Sequence, residues 1–411
     1  MAVEIRSLRE DDVVPFVSAV RLGFLSPPDP AAEAARAAYW RRRVDLDRCW
    51  AAFDGAQCVA TLRTRPFELT VPGGRLLPAD GLTAVTVTPT HRRRGLLTRM
   101  LGRSLRAAAD RGDPVSILIA SEYPIYGRFG YSPATEAATY EIDARAAGLR
   151  RSPVGTLDLV DTAELRKLAP PVYERFRLDQ PGALSREDLR WDADLGLDRP
   201  EGQPADWQGR AVVHRDGAGE PDGFLRYHVD DTRSGRQSTA VLHVDELVAA
   251  SPAGYAHLWR YCLEVDLIRT VRAEDRPVDE ALPWLLTDAR AVRLTERADL
   301  LWLRLLDVPA ALAGRGYRTA GRLVFEVVDP AGYASGRFAL DAGPSGAQCT
   351  RTTDSADLTL PATALGTAYL GGFRLRTLAD AGLLDEHRPG ALTAADALLA
   401  ADRTPWCTLW F

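Results

Sequence analysis

The hydrophobic and polar positions along the first third of the chain follow two different periods. Segments such as EIRS, RCWAAFD and LTAVTV carry the β-branched and aromatic residues of short strands, and turn signals at Asp54-Gly55 and Gly73-Gly74 separate them. After residue 95, apolar residues recur at spacings of three and four, namely Leu97, Met100, Leu101, Leu105 and Ala108. The pattern predicts alternating strands and helices, with one helix beginning near Gly95 and ending at Arg111-Gly112.

The middle of the chain repeats one strand–loop–helix pattern of the first third. The segment TAVLHVDELVAASPAGYAHLWRYCLEV again reads as strand, short loop and helix, and it aligns by eye with LTAVTVTPTHRRRGLLTRMLGRSL. SPAGY stands where the first segment has a basic loop with a glycine. We interpret the middle segment as a second copy that has lost this loop, although so short a similarity also fits chance.

The last part, from about Thr295, is rich in strand patterns such as ADLLWLRLLDV and GRLVFEVVD, and helical patterns follow them. Together with turns at Gly314, Gly336 and Gly343-Pro344, this predicts an α+β domain with an antiparallel sheet. We therefore predict an α/β and α+β chain of three domains, 1–150, 151–295 and 296–411.

The composition is that of a folded protein, with 46% hydrophobic and 26% charged residues. A net charge of −5 argues against a nucleic-acid partner. The scattered cysteines and the six histidines show no ligand spacing, so neither a metal site nor a disulfide framework is expected. The charged N-terminus lacks a signal core, and no apolar run reaches the roughly 20 residues of a membrane span, which predicts a cytoplasmic location.

The segment VTVTPTHRRRGLLTRM carries the clearest chemistry. A strand that enters a helix through a basic loop presents the unpaired amides of the first helical turn, and the helix dipole favours an anion there. Three arginines and Gly95 add cationic pairing and close backbone approach, which predicts a phosphate or pyrophosphate site. A solvated basic face and a nucleic-acid patch are the alternatives; GxxxxGK[ST] and GxGxxG are both missing from this segment.

The V-x-V strand followed by Arg92-x-x-Gly95 resembles motif A of the GNAT superfamily of acyl-CoA-dependent N-acetyltransferases, with Leu97 where glycine or alanine is commonest. The longer PTHRRRGLL, together with YGRFGY, resembles the Eis (enhanced intracellular survival) family of actinobacterial acetyltransferases over the whole chain. The resemblance implies two GNAT-like domains, the second inactive, and a C-terminal sterol-carrier-like domain.

This resemblance implies acetyl-CoA as co-substrate, no metal, and specific site residues. Tyr126 would be the general acid that protonates the leaving thiolate, a role suited to a phenol. Tyr123 and Tyr131 lie nearby, and composition alone would allow any of the three to be a core residue. The expected acetyl-CoA contacts are Val85, Thr86, Val87, Arg92, Arg93, Arg94, Gly95, Leu96, Leu97, Thr98, Ser121 and Glu122.

The chain ends in TPWCTLWF, whereas terminal residues are usually polar and frayed. A terminal strand docked into the last domain would explain the aromatic residues. The resemblance implies a second role, in which the Phe411 carboxylate enters the active site as general base while the Trp410 and Phe411 rings anchor it. A buried carboxylate must be paired or functional. Glu122 is the reserve candidate for the base.

The acceptor implied by the resemblance is an aminoglycoside or similar polyamine, as in antibiotic resistance, and Phe24, Ser26, Trp40 and Trp410 are the expected substrate contacts. An acid is expected just after Phe24 and at the penultimate position, but Leu25, Ser26 and Trp410 stand there. Asp29 or Glu33 could supply charge instead. A smaller natural-product amine, a protein or peptide lysine, and a non-catalytic lipid or drug binder remain as alternatives. A homo-oligomer, a hexamer in the family, is expected.

Overall fold

The N-terminal third folds into strands and helices in the predicted alternation. The computed structural model describes residues 3–27, 29–205, 207–231, 233–234 and 237–411. The elements of this part are β1 (Glu4–Ser7), α1 (Val13–Gly23), α2 (Pro30–Arg41), β2 (Cys49–Asp54), β3 (Gln57–Val71), β4 (Arg75–Val87), α3 (Leu96–Asp110), β5 (Val115–Ile119), α4 (Tyr123–Tyr126), β6 (Ser132–Pro133) and β7 (Glu136–Asp143).

The middle part contains the predicted second strand–loop–helix segment as β13 and α7. Its elements are β8 (Thr156–Val160), α5 (Thr162–Leu178), α6 (Asp188–Asp194), β9 (Arg210–Arg215), β10 (Pro221–Asp230), β11 (Arg233–Ser234), β12 (Gln237–Ser238), β13 (Ala240–Ala249), α7 (Pro252–Glu264), β14 (Ile268–Arg276), α8 (Leu282–Leu285) and β15 (Val292–Asp299).

The last part is strand-rich, as its pattern predicts. Its elements are β16 (Leu301–Leu305), α9 (Val308–Gly314), β17 (Gly321–Val328), β18 (Gly336–Gly343), β19 (Gly346–Arg351), β20 (Leu358–Pro361), α10 (Ala362–Tyr369), α11 (Leu375–Asp380), β21 (Asp385–Glu386) and α12 (Ala391–Leu399). Short 3-10 helices lie at Glu10–Asp12, Leu46–Arg48, Pro89–His91, Gly127–Phe129 and Ala289–Ala291.

The first two large sheets exchange strands. The first has the order β1-β2-β3-β4-β5-β16-β6, so that β16 from the last part lies between two strands of the first. The second has the order β15-β7-β14-β13-β10-β9-β8 and takes in β7. Strands pair across the predicted domain boundaries: β7 pairs with β14 and β15, and β16 pairs with β5 and β6. The sheets therefore do not test the boundaries, which remain predictions at 1–150, 151–295 and 296–411.

The third sheet, β19-β18-β17-β20-β21, belongs to the last part. It is not purely antiparallel as expected, since β17 and β20 pair in parallel. The largest buried cluster joins this part to the first sheet, with Leu77 and Ile117 packed among the same residues as Phe325 and Leu365. No helix in the described ranges is long and apolar enough to cross a bilayer.

Candidate active site

Strands β4 and β5 pair in parallel only from Ala79 to Leu82 and then diverge. The divergence follows a bulge in β4, where the register against β3 shifts and Ala84 has a positive φ of 52°. A bulge bends a strand and increases its local twist. The predicted contacts Val85, Thr86 and Val87 therefore lie on a stretch of β4 beyond its pairing with β5, where an extended ligand can pair with the free edge.

The predicted phosphate loop follows directly after β4. Gly95 takes a φ of 73° just before α3 begins, and Arg93 a φ of 63°. A Cβ at Gly95 would meet no atom within 4 Å, so the backbone conformation and not crowding favours glycine there. The first-turn amides of α3, Leu96 to Thr98 among them, have no intrahelical partner.

The cations of this loop are also free to bind a ligand. Arg92, Arg93 and Arg94 are exposed, and within the described ranges none of them pairs with an acidic side chain. Only Arg94 is held, since its guanidinium donates to the carbonyl of Thr90 at 3.1 Å. Free amides, the helix dipole and three unpaired cations together form a site for a pyrophosphate-sized anion.

The equivalent helix start in the second copy cannot serve this purpose. Ser251 caps α7 and accepts a hydrogen bond from the Gly254 amide at 3.0 Å. The Ser251 hydroxyl donates to the Asp222 carboxylate, which also bonds to His214. A bound phosphate would therefore meet a capped helix and a carboxylate, so this helix start does not favour an anion.

Tyr126 lies at the end of α4, in the buried cluster that contains Leu82 and Leu96. Burial raises the pKa of its phenol to about 12, and the Glu122 carboxylate adds to the shift. Among the described residues no partner takes its hydroxyl hydrogen bond. Tyr126 thus remains protonated at neutral pH and can donate a proton or hydrogen bond to a ligand.

The two neighbouring tyrosines differ from Tyr126. Tyr131 is fully buried, and its hydroxyl is hydrogen-bonded to Ser116 at 2.7 Å. Tyr123 is exposed and packs edge-on against Trp302, with ring centroids 4.8 Å apart. Of the three tyrosines, Tyr126 is the one that is buried while its hydroxyl has no hydrogen-bond partner among the described residues.

The C-terminal segment is held by the second sheet. The indole N–H of Trp406 donates to the backbone carbonyl of Asp275, and that of Trp410 donates to the Asp275 carboxylate, each at 2.7 Å. Thr408 is hydrogen-bonded to the Tyr173 hydroxyl at 2.8 Å. The segment is therefore fixed by polar contacts as well as by burial of its apolar side chains.

Asp275 is an unusual residue in this contact. It takes a positive φ of 52° where the β14–β7 register shifts between Ala273 and Arg276. Burial raises the pKa of its carboxyl group, and the hydrogen bond from Trp410 opposes that shift. A strained, non-glycine residue that binds two tail side chains is typical of a functional region.

Phe411 lies on the first sheet. Its ring contacts Phe67 of β3, with centroids 4.8 Å apart. A Cβ on Gly81 would come within 3.1 Å of the Phe411 ring and would also collide with Phe67, so the missing side chain of Gly81 provides the space. Gly81 pairs with Ile117 in the last stretch before β4 leaves β5. The last residue thus lies where the β4–β5 cleft opens.

The remaining predicted contacts are more dispersed. Ser121 and Glu122 are exposed just after β5. Phe24 is exposed at the end of α1, which packs against Thr86 through Gly23. Ser26 is half-buried.

The two acids considered as replacements for the missing pocket charges have different partners. Asp29 caps α2 and pairs with Arg36, whereas Glu33 accepts a hydrogen bond from the neutral Ser18 hydroxyl. Within the described ranges Glu33 therefore has no cationic partner, and Asp29 does.

The tail lines one of two cavities, and the lining of the second contains no tail residue. A cleft of about 250 Å³ lies beside Trp406 and Trp410, and its charged or ionisable side chains are those of Asp245, Glu246, Glu274, Asp275, Arg272, Arg276, His228 and His243. A cavity of about 420 Å³ lies between α2 and β3 on one side and α6 and β10 on the other. We call the second the arginine cavity, because its lining includes Arg43, Arg63, Arg65, Arg190 and Arg226 together with Tyr39, Trp40, Trp207, Glu187 and Asp194.

Trp40, an expected substrate contact, lines the arginine cavity, and its role stays a prediction. Sequence reasoning did not find the arginines or Asp275. These residues come from separate segments and have no common motif. The histidines also differ from expectation, because His228, Asp230 and His243 bring possible metal-ligand atoms within 4.8 Å of one another. Each histidine there already pairs with a carboxylate, His228 with Asp245 and His243 with Asp230.

Profile comparisons agree with this architecture. An Acetyltransferase (GNAT) domain matches residues 4–134, a second Acetyltransferase (GNAT) domain matches 182–335, and a Sterol carrier protein domain matches 308–408. The protein is therefore an acyl-CoA N-acyltransferase of the GNAT type with two GNAT domains and a sterol-carrier-like domain.

Relatives match over nearly the entire chain. An uncharacterized N-acetyltransferase of Streptomyces griseus is 43% identical, covering 99% of both chains. N-acetyltransferase Eis of Mycobacterium tuberculosis is 37% identical, covering 98% of both. The crystal structure of Eis1 from Mycobacterium abscessus superposes with a TM-score of 0.86 at 32% identity and covers 100% of both. The chain belongs to the Eis family of N-acetyltransferases, which confirms the resemblance.

Proposed function

We propose that the protein transfers the acetyl group of acetyl-CoA directly to an amine, with the Phe411 carboxylate as general base and Tyr126 as general acid. The observation that carries this proposal is the position of Phe411 beside Gly81, where β4 leaves β5. The free edge of β4 leads from there to the loop of Arg92, Arg93 and Arg94 before α3, which we call the arginine loop. Base, acyl group and pyrophosphate would thus lie along one cleft.

In this mechanism the arginine loop and the first-turn amides of α3 hold the pyrophosphate, and the edge of β4 holds the pantetheine arm. The Phe411 carboxylate takes a proton from the acceptor ammonium, directly or through water. The amine nitrogen then attacks the thioester carbonyl, which the β4 amides polarise, and the C–N bond forms as the C–S bond breaks. Tyr126 gives its proton to the departing sulfur, and the acylated nitrogen loses its second proton, to water or back to the Tyr126 oxygen, so that a neutral amide and a free thiol are released.

The acceptor proposed from the family is an aminoglycoside or similar polyamine. Asp245 and Asp275 lie in the cleft beside Trp410 without an arginine partner in the described ranges, and they support a cationic acceptor, as do the indole faces. Glu246 and Glu274 in the same cleft are already paired with arginines. Protein lysine and natural-product amines are the alternative acceptors. A hexamer and a cytoplasmic location stay predictions; light scattering of the purified protein would test the first.

The C-terminal carboxylate is tested by moving it without changing any side chain. We expect that adding one glycine after Phe411, or deleting Phe411, lowers acetyl transfer by at least a hundredfold, because the carboxylate is displaced by a residue's length. Thiol release from acetyl-CoA with an aminoglycoside panel measures turnover, and calorimetry measures acetyl-CoA binding.

The two tail variants control each other. The glycine extension keeps the Phe411 ring against Phe67, whereas the deletion removes it. Loss of turnover in both, with acetyl-CoA binding intact, supports the carboxylate as base. Full activity in the extended chain would exclude that role and leave Glu122 as the candidate.

A further inference from the structure

Two neighbouring strands of the second sheet carry the same three residues. His228-Val229-Asp230 ends β10, and His243-Val244-Asp245 lies within β13. The two strands pair antiparallel and place His228 directly opposite His243. Side chains that are opposite each other on an antiparallel pair lie on one face and interact. The pairing therefore brings together two imidazoles and two carboxylates that no local spacing along the chain connects.

The contact between His243 and Asp230 has the geometry of two ligands on one ion. His243 Nε2 lies 3.1 Å from an oxygen of the Asp230 carboxylate. Two ligand atoms that are each 2.0–2.1 Å from a tetrahedral zinc ion lie about 3.3–3.4 Å from each other. An ion can therefore take the place of this direct contact with little movement of either side chain.

His228 supplies a third ligand from the opposite strand. Its ring is stacked on that of His243, with centroids 4.7 Å apart and an interplanar angle of 5°. Ligand atoms of His228, Asp230 and His243 all lie within 4.8 Å of one another. The His228 and Asp230 side chains are 44% and 62% exposed, so both have room to rotate toward a common ion. Two imidazoles, a carboxylate and an open fourth position form a donor set that suits zinc.

Asp245 holds His228 from behind. One oxygen of its carboxylate is hydrogen-bonded to His228 Nδ1 at 2.7 Å, and the other accepts the indole N–H of Trp207 at 2.7 Å. The β10–β13 register shifts so that Arg226 pairs with Glu246 and the next residue pairs with Val244, which leaves Asp245 as the extra residue of a bulge. A carboxylate bonded to Nδ1 leaves Nε2 free and fixes the ring, as is usual behind metal-binding histidines.

Neighbouring cations do not occupy these carboxylates. Arg272, beside His243 on β14, is paired with Glu141 and Glu274. Within the described ranges, Asp230 has no arginine or lysine partner. Both histidines also line the cleft beside the tail, which gives an ion a path from solvent.

We propose that His228, Asp230 and His243 bind a divalent transition-metal ion, zinc in particular, and that Asp245 is the positioning residue for His228. None of the three ligands has a role in the proposed acetyl transfer, so this site stands apart from that reaction. Imidazole ligands favour zinc over Mg²⁺ and Ca²⁺, which prefer oxygen ligands. The sequence did not reveal the site, because the ligand spacing arises from strand pairing and not from a local motif.

Calorimetry with zinc chloride on the full-length, tag-free and chelator-treated protein measures binding. We expect one zinc ion per wild-type chain, at least tenfold weaker binding in His228→Gln and in His243→Gln, and no competition from excess Mg²⁺. His387→Gln is the matched control, because it removes an exposed histidine that is bonded to Thr359 on the third sheet. It should bind zinc as the wild type does. All five cysteines are buried, so thiolates do not compete in the folded chain.

Asp245→Asn tests the positioning role. The amide keeps an oxygen acceptor but removes the charge, so zinc should bind about tenfold to a hundredfold more weakly. Co²⁺ is the spectroscopic probe, because its visible absorption depends on its ligands. The wild type should give an intense band of a four-coordinate ion, Asp245→Asn should shift it, and His228→Gln should lose it. An unchanged zinc affinity and Co²⁺ band in Asp245→Asn would overturn the positioning role.

The site itself is overturned if the wild type does not bind zinc, or if the wild type and both histidine variants bind it equally. Equal weakening in His387→Gln would show adventitious binding and would also overturn it. Acetyl-CoA binding, measured in the same preparations, should be unchanged in every variant and shows that each is folded. Asp230→Asn, at an exposed position, replaces a histidine variant that does not fold and should weaken zinc binding at least tenfold.

Discussion

The hydroxyl groups of Tyr126 and Tyr131 have different environments although their rings are in edge contact, with centroids 6.3 Å apart. The Tyr131 hydroxyl is bound to Ser116 inside the core, whereas that of Tyr126 has no partner in the described structure. Composition could not separate the two, and only the family resemblance favoured Tyr126, because burial and hydrogen bonding depend on strands far along the chain. At the scale of single residues, the environment determines which tyrosine can act as an acid.

Replacing Tyr126 with phenylalanine should lower kcat by about a hundredfold to ten-thousandfold, the range of general acid catalysis. Because burial raises the pKa of this phenol to about 12, the acid remains protonated throughout the usual assay range. Deprotonation of Tyr126 should therefore not lower the kcat of the wild type between pH 8 and 10. A pH–rate profile of kcat measures this.

Tyr131→Phe is the control for this substitution. It removes the bond to Ser116, which should cost about 1 kcal/mol of unfolding free energy and leave kcat close to that of the wild type. Unchanged kcat in Tyr126→Phe would contradict the acid role, whereas a falling limb near pH 9 that disappears in that variant would contradict the raised pKa of its phenol.

Helix α3 shows what a local pattern can predict. Its apolar spacing predicts a helix from near Gly95 to Arg111-Gly112, and the structure has Leu96–Asp110. The tail shows the opposite case. Its aromatic residues indicate burial, but their partners, Asp275 and Gly81, lie on two different sheets. Local spacing contains no information about such distant contacts.

Two glycines of this helix region should respond oppositely to alanine. An added Cβ meets no atom within 4 Å at either Gly95 or Gly102, but Gly95 has a φ of 73° and Gly102 lies inside α3. Gly102→Ala should stabilise by about 0.5–1 kcal/mol, whereas Gly95→Ala should destabilise by about 1–2 kcal/mol. Denaturant unfolding measures both.

The same pair tests the anion site. Strain at Gly95 should disturb the loop and raise the KM for acetyl-CoA several-fold, while Gly102→Ala leaves it unchanged. An equal KM in both variants would mean that the loop does not bind the pyrophosphate.

Asp275 should control docking of the tail. Asp275→Ala removes the acceptor for Trp410 and places alanine at a positive φ, so the tail should detach more often. Carboxypeptidase A should then release Phe411 several times faster, and kcat should fall. The measured quantities are phenylalanine release and thiol production.

Asp275→Asn is the matched variant, because its side-chain oxygen still accepts from the indole and asparagine tolerates a positive φ. It should keep slow phenylalanine release and near wild-type turnover. Fast release in both variants would show that the charge itself, and not the hydrogen bond, holds Trp410.

Across the whole molecule, the local strand patterns predict most of the strands but not their partners. The pattern ADLLWLRLLDV is a strand as expected, yet β16 lies in the first sheet between β5 and β6. The arginine cavity is likewise assembled from α2, β3, α6 and β10, and the sequence gives no sign that its arginines meet. Sequence motifs are enough to predict the class of each domain. The balance of charges in a cavity can be read only from the folded structure.

The exchange of β7 and β16 also bears on how such a gene can evolve and be translated. On the ribosome, the first sheet stays incomplete until residues 301–305 emerge, long after the rest of the first part has been synthesised. The second copy, although its helix start no longer suits an anion, cannot be deleted without removing the partners of β7 and the route by which β16 returns. The interlock thus gives the second copy a structural role of its own, and recombination that separates the three parts would remove the partners of paired strands.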